Sequence, residues 1–137
     1  METFTINHST VFELLDGVDA RRDIPVDLSY DARVPYAVSV VFSSNRGPVR
    51  WLIARDVLVD GLLRQSGEGD FTVGPLHGDG LKVWIRLSTP TGSAKFEASS
   101  LAVASFLDST FALVPLGEED MSDAVDEAVR QMLSGVD

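Results

Sequence analysis

Cysteine is absent from this chain, and only two histidines occur among its 137 residues. The absence of cysteine excludes a disulfide framework, a thiolate nucleophile and a cysteine-based zinc site. The histidines, His8 and His77, are far apart in the sequence. Because metal sites usually need three or four convergent ligands, we expect no bound metal and no cofactor.

Long apolar runs are also missing, since none reaches the ~18 residues that a membrane-spanning helix needs. The first ten residues, METFTINHST, have neither a basic n-region nor an apolar h-region. A secretory signal peptide requires both regions. We therefore expect a soluble, cytoplasmic protein that does not insert into a membrane, built as a single domain over residues 1–137.

Basic residues are scarce: 11 lysines and arginines stand against 21 aspartates and glutamates, giving a net charge of −10. Eight of the acids but only one base, Arg130, lie from Asp108 onward. An acidic chain repels phosphate backbones at long range, which disfavours a nucleic acid as partner.

Catalytic motifs are absent as well. Ser66 lies in Gln-Ser-Gly, without the strand-to-helix elbow of a G-x-S-x-G nucleophile. The run Gly67-Glu68-Gly69-Asp70 leads toward a strand rather than a helix, so it lacks the helix N-terminus that a phosphate cradle uses. These absences predict a protein that is not an enzyme.

What the chain does have is apolar alternation with a period of two over its first two thirds. One buried face and one exposed face are typical of antiparallel sheet. Residues 24–30 form a weaker candidate, and Pro25 there lacks a main-chain donor, which predicts an edge strand. The alternating sets are Phe4, Ile6, Phe12 and Leu14; Tyr36, Val38, Val40 and Phe42; Val49, Trp51 and Ile53; and Leu81, Val83, Ile85 and Leu87.

Helices are predicted at three places: residues 55–63, a segment from Ser99 or Ser100 to about Val114, and residues 118–133. On the second helix, Phe106 and Leu113 are expected to point away from the main apolar stripe. A helix that is apolar on two sides needs cover on two sides. Either a second internal helix or a neighbouring subunit supplies that cover, so Phe106, Leu113 and Trp84 are candidate oligomer-interface residues. The main stripe comprises Val103, Ala104, Leu107, Phe111 and Val114.

Two charged features have alternative interpretations. The amphipathic C-terminal helix carries Asp123, Asp126 and Glu127, which either dock a basic partner or are simply solvated. Lys82, Trp84 and Arg86 lie on one face of a predicted strand. That face either stacks and steers single-stranded nucleic acid, or Trp84 packs under a helix or a neighbouring subunit while the two cations reach solvent.

The order of residues over about 28–133 resembles the SsgA-like sporulation and cell-division regulators of actinomycetes, including the SsgB-type branch. No single landmark is specific, but many occur in register within one short domain. The landmarks are Tyr30-Asp31, Pro35-Tyr36-Ala37-Val38, Trp51, Ala54-Arg55-Asp56, Gly61-Leu62, Gly67, Gly69, Asp70, Ser88 through Gly92, Glu97-Ala98, Phe106-Leu107, Thr110 and Val114 through Glu118.

This resemblance implies an α+β fold, with an antiparallel, barrel-like sheet of about seven strands and two or three packed helices. The resemblance also implies a likeness to whirly and guide-RNA-binding folds and assembly as a homotrimer. The function it implies is non-enzymatic: selection of septum sites and recruitment of FtsZ at the division septum. The expected partners are the chain itself and FtsZ or another SsgA-like protein.

Arg55 and Asp56 match the Ala-Arg-Asp signature of the family, and two interpretations of them stay open. They form part of a partner surface together with the acids of the last helix, or Asp56 caps the short helix. The alternative function is a single-stranded nucleic-acid binding module that uses Lys82, Trp84 and Arg86.

Overall fold

Seven antiparallel strands and two helices make up the described part of the chain. The computed structural model describes residues 4–115 and Gly117. The predicted α+β fold with a barrel-like sheet is confirmed, while the likeness to whirly folds stays a prediction. In chain order the elements are β1 (Thr5–Leu15), β2 (Arg21–Asp31), β3 (Ala37–Ser44), β4 (Gly47–Ala54), α1 (Arg55–Gly61), β5 (Phe71–Pro75), β6 (Lys82–Thr89), β7 (Gly92–Ser99) and α2 (Ser100–Leu113).

The strands form one sheet in the order β4-β3-β2-β1-β7-β6-β5, and the sheet curls into a half-barrel. Consecutive strands pair as antiparallel neighbours, except β4 and β5, which are connected through α1 and lie at opposite edges; β1 and β7 pair in the middle of the sheet. That junction is short, because β1 meets β7 only where Glu13 faces Glu97 and Leu14 faces Phe96. The two edge strands of the sheet are β4 and β5.

The hydrophobic core lies on the inner face of the curl, and the period-two alternation explains why. Side chains at alternate positions of a strand share one face, so each strand sends an apolar row inward and a polar row outward. Trp84, Arg86 and Lys95 belong to the outer row. The buried inner rows include Phe12, Val26, Leu28, Tyr30, Val38, Val40, Phe42, Ile53, Val73, Val83, Ile85, Phe96 and Ala98.

Helix α2 begins where the sequence predicts, because the Ser99 hydroxyl accepts a hydrogen bond from the Ala102 N–H at 3.1 Å. The prediction that Phe106 and Leu113 point away from the main stripe is wrong. Phe106 is fully buried and Leu113 is partly buried against the core. With 3.6 residues per turn, Phe106 is displaced only about 60° from Val103, so one face holds both. This chain's own sheet supplies the cover.

The prediction that the strand containing Pro25 is an edge strand is also wrong, since β2 lies between β1 and β3. Pairing with β3 starts at Val26, opposite Phe42. Pro25 therefore stands just beyond the β2–β3 ladder. The missing N–H of proline costs little at such a position.

Three residues of the alternating sets fall outside the strands and are exposed, the first being Phe4, which precedes β1 and is 45% exposed. Tyr36 is 53% exposed and precedes β3, while Leu81 is 75% exposed and precedes β6. Alternation continues in the sequence for one residue beyond the hydrogen-bonded ladder, so it overestimates the buried row. The predicted C-terminal helix, residues 118–133, lies outside the described residues.

The turn between α1 and β5 contains two glycines with positive φ, Gly67 at 91° and Gly69 at 71°. A Cβ on Gly67 would collide with the carbonyl oxygen of Phe71, whereas a Cβ on Gly69 would meet no atom within 4 Å. A side chain in the left-handed region costs about 1–2 kcal/mol, and an overpacked contact costs about 1–3 kcal/mol more.

We therefore expect Gly67→Ala to lower the free energy of unfolding by about 3 kcal/mol, the sum of both costs. Gly69→Ala, the matched control, loses about 1–2 kcal/mol because it has the backbone cost alone. Urea unfolding of both variants measures the difference. Equal losses in the two variants would show that the contact with Phe71 does not determine this turn.

Candidate partner-binding surfaces

Arg55, predicted on a partner surface, is instead fully buried. Arg55 is the first residue of α1, and its guanidinium lies on the inner side of the sheet. The Arg55 Nη1 donates to the carbonyl oxygen of Val114 at 2.8 Å and to Thr110 Oγ1 at 3.2 Å. The guanidinium carbon lies 4.4 Å from the ring centre of Phe111 and 5.1 Å from that of Tyr30.

These contacts give Arg55 a structural role that joins β2, α1 and the end of α2. The carbonyls at a helix C-terminus carry partial negative charge, which a cation stabilises. The Arg55 N–H also donates to the carbonyl of Tyr36 at 2.9 Å, so α1 is anchored to the start of β3. The prediction that Arg55 contributes to an exposed partner surface is wrong for the folded chain.

Asp56 is exposed, and the interpretation of it as a helix cap is wrong. The N-cap of α1 is Ala54, which has no side-chain capping bond, and Asp56 lies within the first helical turn. An acid there still complements the helix dipole. Asp56 therefore remains a candidate partner-surface residue. The other candidates, Asp123, Asp126 and Glu127, lie outside the described residues.

The predicted patch of Lys82, Trp84 and Arg86 is divided by neighbouring acids. Lys82 Nζ lies 3.4 Å from Glu13 Oε1 and 3.7 Å from Glu97 Oε1. Arg21 donates to the same Glu97 oxygen at 2.8 Å, and this hydrogen bond raises the pKa of Arg21. The charge of Lys82 is thus compensated within the chain, where it helps to join the β1–β7 junction on its outer face.

Trp84 lies half-buried on the outer face, flat against the neighbouring strand. Its indole sits over Gly74, where a Cβ would approach the ring atoms to 3.0–3.1 Å. Trp84 therefore packs within the chain, but against β5 and not under the helix or neighbouring subunit that the sequence predicted. Whether Trp84 also contacts another subunit stays a prediction.

Lys95, a cation that the sequence analysis missed, lies beside Arg86. The register of β6 and β7 places Lys95 directly opposite Arg86 and Thr72 on its other side. Neither cation forms an ion pair within residues 4–115. The signal was present, because the two-residue Pro90-Thr91 loop fixes which residues face one another.

Beyond these surfaces, two searches of the described residues gave negative findings. Across residues 4–115 and Gly117, no three acidic or histidine side chains group closely enough to hold a metal ion. Within the same residues, no helix is long and apolar enough to cross a bilayer. His8 instead lies edge-to-face against Phe106, with ring centres 5.3 Å apart.

Comparison with known proteins shows close relatives over nearly the whole chain. Residues 24–119 match the family model described as Streptomyces sporulation and cell division protein, SsgA. The sporulation-specific cell division protein SsgB of Saccharopolyspora erythraea is 42% identical over 130 residues, which cover 94% of this chain and 92% of the relative. The SsgB of Streptomyces coelicolor is 37% identical over 95% of this chain and 96% of its own length.

Solved structures agree with the fold. The crystal structure of an SsgA-like sporulation-specific cell division protein from Thermobifida fusca has a TM-score of 0.81 and 30% identity, covering 96% of this chain and 99% of that one. A second structure has a TM-score of 0.78 and 38% identity, covering 84% and 92%. Its description states that mutations in SsgB correlate with longitudinal cell division during sporulation of Streptomyces coelicolor.

Proposed function

Because this chain belongs to the SsgA family of sporulation and cell-division proteins, we propose that it helps to select septum sites and recruits FtsZ through protein contacts. It acts at the division septum during sporulation and catalyses no reaction. Its partners are FtsZ or another SsgA-like protein, together with further copies of itself.

One observation carries this proposal: the relatives named as sporulation-specific cell division proteins align with this chain along almost their whole length. The 92% and 96% coverage of two such relatives supports the proposal, because almost the whole length of each relative has a counterpart in this chain.

The structure supports a non-enzymatic role because the residues considered above as candidate catalytic or ligand-binding groups have structural roles. Ser66 forms an isolated β-bridge with Val73 through two main-chain hydrogen bonds of 2.8 and 3.0 Å. Gly67 makes a turn that only glycine fits, and His8 packs on Phe106. Each residue has a structural explanation, and the surfaces that remain suit binding better than turnover.

Assembly as a homotrimer is the second part of the proposal. Phe106 and Leu113 do not support it, because the subunit itself buries them. Exposed apolar residues on the outer surface support it better: Leu81 and Leu101 are each 75% exposed, and Val11 is 50% exposed. Val11 and Leu81 line one shallow cavity of about 290 Å³.

Co-sedimentation with FtsZ polymers tests the proposal. We expect the chain to pellet with polymers and to stay in the supernatant when centrifuged alone. Asp56→Lys reverses an exposed charge on the predicted partner surface and is expected to reduce the pelleted fraction about tenfold, a loss of about 1.4 kcal/mol. Asp108→Lys, which reverses an exposed charge on α2, is the matched control and leaves the fraction unchanged.

The absence of wild-type chain from the polymer pellet would contradict FtsZ recruitment itself. An equal effect of the two charge reversals would instead remove Asp56 from the contact.

Nucleic-acid binding stays the second candidate, since Trp84, Arg86 and Lys95 form a basic and aromatic group on the outer face. Against it stand the net charge of −10 and the compensation of Lys82 by Glu13 and Glu97. Fluorescence anisotropy with a labelled single-stranded oligonucleotide at low salt distinguishes the two functions. Salt-sensitive binding that Trp84→Ala abolishes would favour the second candidate.

A further inference from the structure

We propose that the free edge of β4 and the cavity beside it bind an extended segment of a partner protein as an added strand. The segment is apolar at alternate positions and acidic at its ends. This inference rests on the proposed function in one respect, namely that the domain acts through protein contacts. It adds where the contact lies and what chemistry the partner presents.

The opposite edge of the sheet is already closed, which leaves β4 as the available edge. On β5, Val73 exchanges two main-chain hydrogen bonds with Ser66 at 2.8 and 3.0 Å. Pro75 has no N–H to offer, and Gly67 packs against the Phe71 carbonyl. An incoming strand therefore finds no free ladder on β5.

The register of β4 with β3 determines which main-chain N–H and C=O groups of β4 are free. Arg55 N–H donates to the Tyr36 carbonyl, and the pairing continues in antiparallel register to Gly47 opposite Ser44. Hydrogen-bonded and non-bonded pairs alternate in such a ladder. The residues of β4 that bond to β3 are therefore the odd-numbered ones, 47 to 53.

The even-numbered residues turn their main-chain groups away from β3. Arg50 and Leu52 each point one N–H and one C=O outward, and neither group bonds to another loop or turn within residues 4–115. Pro48 ends the free edge on one side and α1 ends it on the other. The site therefore offers four main-chain hydrogen bonds to a short strand, the mode of recognition called β-augmentation.

The inner side of this edge opens into a cavity of about 600 Å³. Val49 and Trp51 line it from β4, and Leu87 and Phe96 line it from β6 and β7. The cavity therefore lies on the inner side of β4, between this strand and residues of β6 and β7. A strand added to β4 directs alternate side chains toward this cavity, so apolar residues at those positions are the ones that fit.

The charges around the edge and the cavity favour an acidic partner. Arg22 and Arg46 line the cavity, and Arg50 lies on the edge strand itself. None of the three forms an ion pair within residues 4–115, and Asp23 is the one acid among the cavity-lining residues. A local excess of positive charge in a chain of net charge −10 complements acidic side chains at the ends of the bound segment.

Leu52→Pro tests the edge directly. The substitution removes an outward N–H that the β3–β4 ladder does not use, and proline is tolerated at such positions of edge strands. Leu52→Ala is the matched control, since it shortens the same exposed side chain and keeps the N–H. Thermal unfolding of both variants checks that they are folded.

The probes are three fluorescein-labelled ten-residue peptides measured by fluorescence anisotropy. The first alternates valine and threonine between pairs of glutamates. The second replaces the glutamates by lysines, and the third keeps the glutamates but is N-methylated at every valine and threonine, which removes the main-chain donors on both faces of the strand. We expect the first peptide to bind wild type and Leu52→Ala equally, and Leu52→Pro about tenfold more weakly, as loss of a main-chain hydrogen bond predicts.

We also expect the second and third peptides to bind wild type at least about tenfold more weakly than the first. Equal binding of the first peptide to wild type and Leu52→Pro would overturn the edge as the site, as would its failure to bind wild type. Equal binding of the lysine peptide would overturn the acidic character of the partner.

Two further outcomes separate this inference from the proposed function. If light scattering shows a lower mass for Leu52→Pro than for wild type, a second copy of this chain occupies the edge. The proposal that a partner protein occupies it is then wrong. If wild type and Leu52→Pro pellet equally with FtsZ polymers, recruitment stands and β4 is not its site. If wild type does not pellet with FtsZ polymers but the peptides bind as expected, the proposal of FtsZ recruitment is wrong and the β4 edge still stands as a binding site.

Discussion

Phe106→Ala is expected to lower the free energy of unfolding by about 3–5 kcal/mol, the cost of removing a fully buried phenylalanine from a core. Phe106 is 0% exposed, and its ring lies 5.3 Å from that of His8 on β1. The variant therefore loses the contact that joins α2 to the middle of the sheet. Urea unfolding followed by circular dichroism gives the difference.

Asp108→Ala is the control for Phe106→Ala, because Asp108 lies on the same helix but is exposed. We expect it to change stability by less than about 0.5 kcal/mol. The alternative that Phe106 belongs to an oligomer interface predicts something different. Phe106→Ala would then lower the mass seen by light scattering while the subunit stayed as stable as wild type, and that result would refute the core position.

Arg55→Met has the second largest expected effect, a loss of about 3 kcal/mol of stability. Methionine fills much of the volume but cannot donate to the Val114 carbonyl, and a buried carbonyl without its donor costs about 1–3 kcal/mol. The stacking of the guanidinium between Phe111 and Tyr30 adds up to about 2 kcal/mol when desolvated. Chemical denaturation, with far-UV circular dichroism as the signal, measures the loss.

Arg55→Lys separates charge from shape in this position. Lysine keeps the cation but lacks the planar fork that stacks on rings, so we expect it to recover about half of the loss caused by methionine. A partner-surface role for Arg55 predicts the opposite pattern. Both variants would then keep wild-type stability and lose only binding, which is incompatible with the burial observed.

The comparison of Arg55 with Ser99 shows how far residue patterns reach. A cap of α2 at Ser99 or Ser100 was predicted from neighbouring residues alone, because a cap acts on an N–H a few residues away, and the structure identifies Ser99 as the cap. Arg55 was predicted on a partner surface because it matches the Ala-Arg-Asp signature of the family. Its acceptors, Thr110 and Val114, are more than fifty residues distant along the chain, and no local pattern identifies them.

The candidate sites show the same division. The two-residue β6–β7 loop places Lys95 opposite Arg86, so the pair was within reach of sequence reasoning. The free edge of β4 was not, because its availability depends on sheet order: β2 had been expected at an edge on the basis of Pro25. The compensation of Lys82 by Glu13 likewise requires β1 to pair with β7, a contact between the first and the last strand of the chain.

The sequence by itself determined the strands, the turns, the start of α2 and, through landmarks in register, the family. These properties depend on residues close together in the chain or on their order. Only the tertiary structure decided that Phe106 and Arg55 are buried, that β5 is closed and that β4 is open. Burial and edge exposure depend on which distant segments pair, and that pairing is fixed by the collective packing of the whole sheet rather than by any short stretch of it.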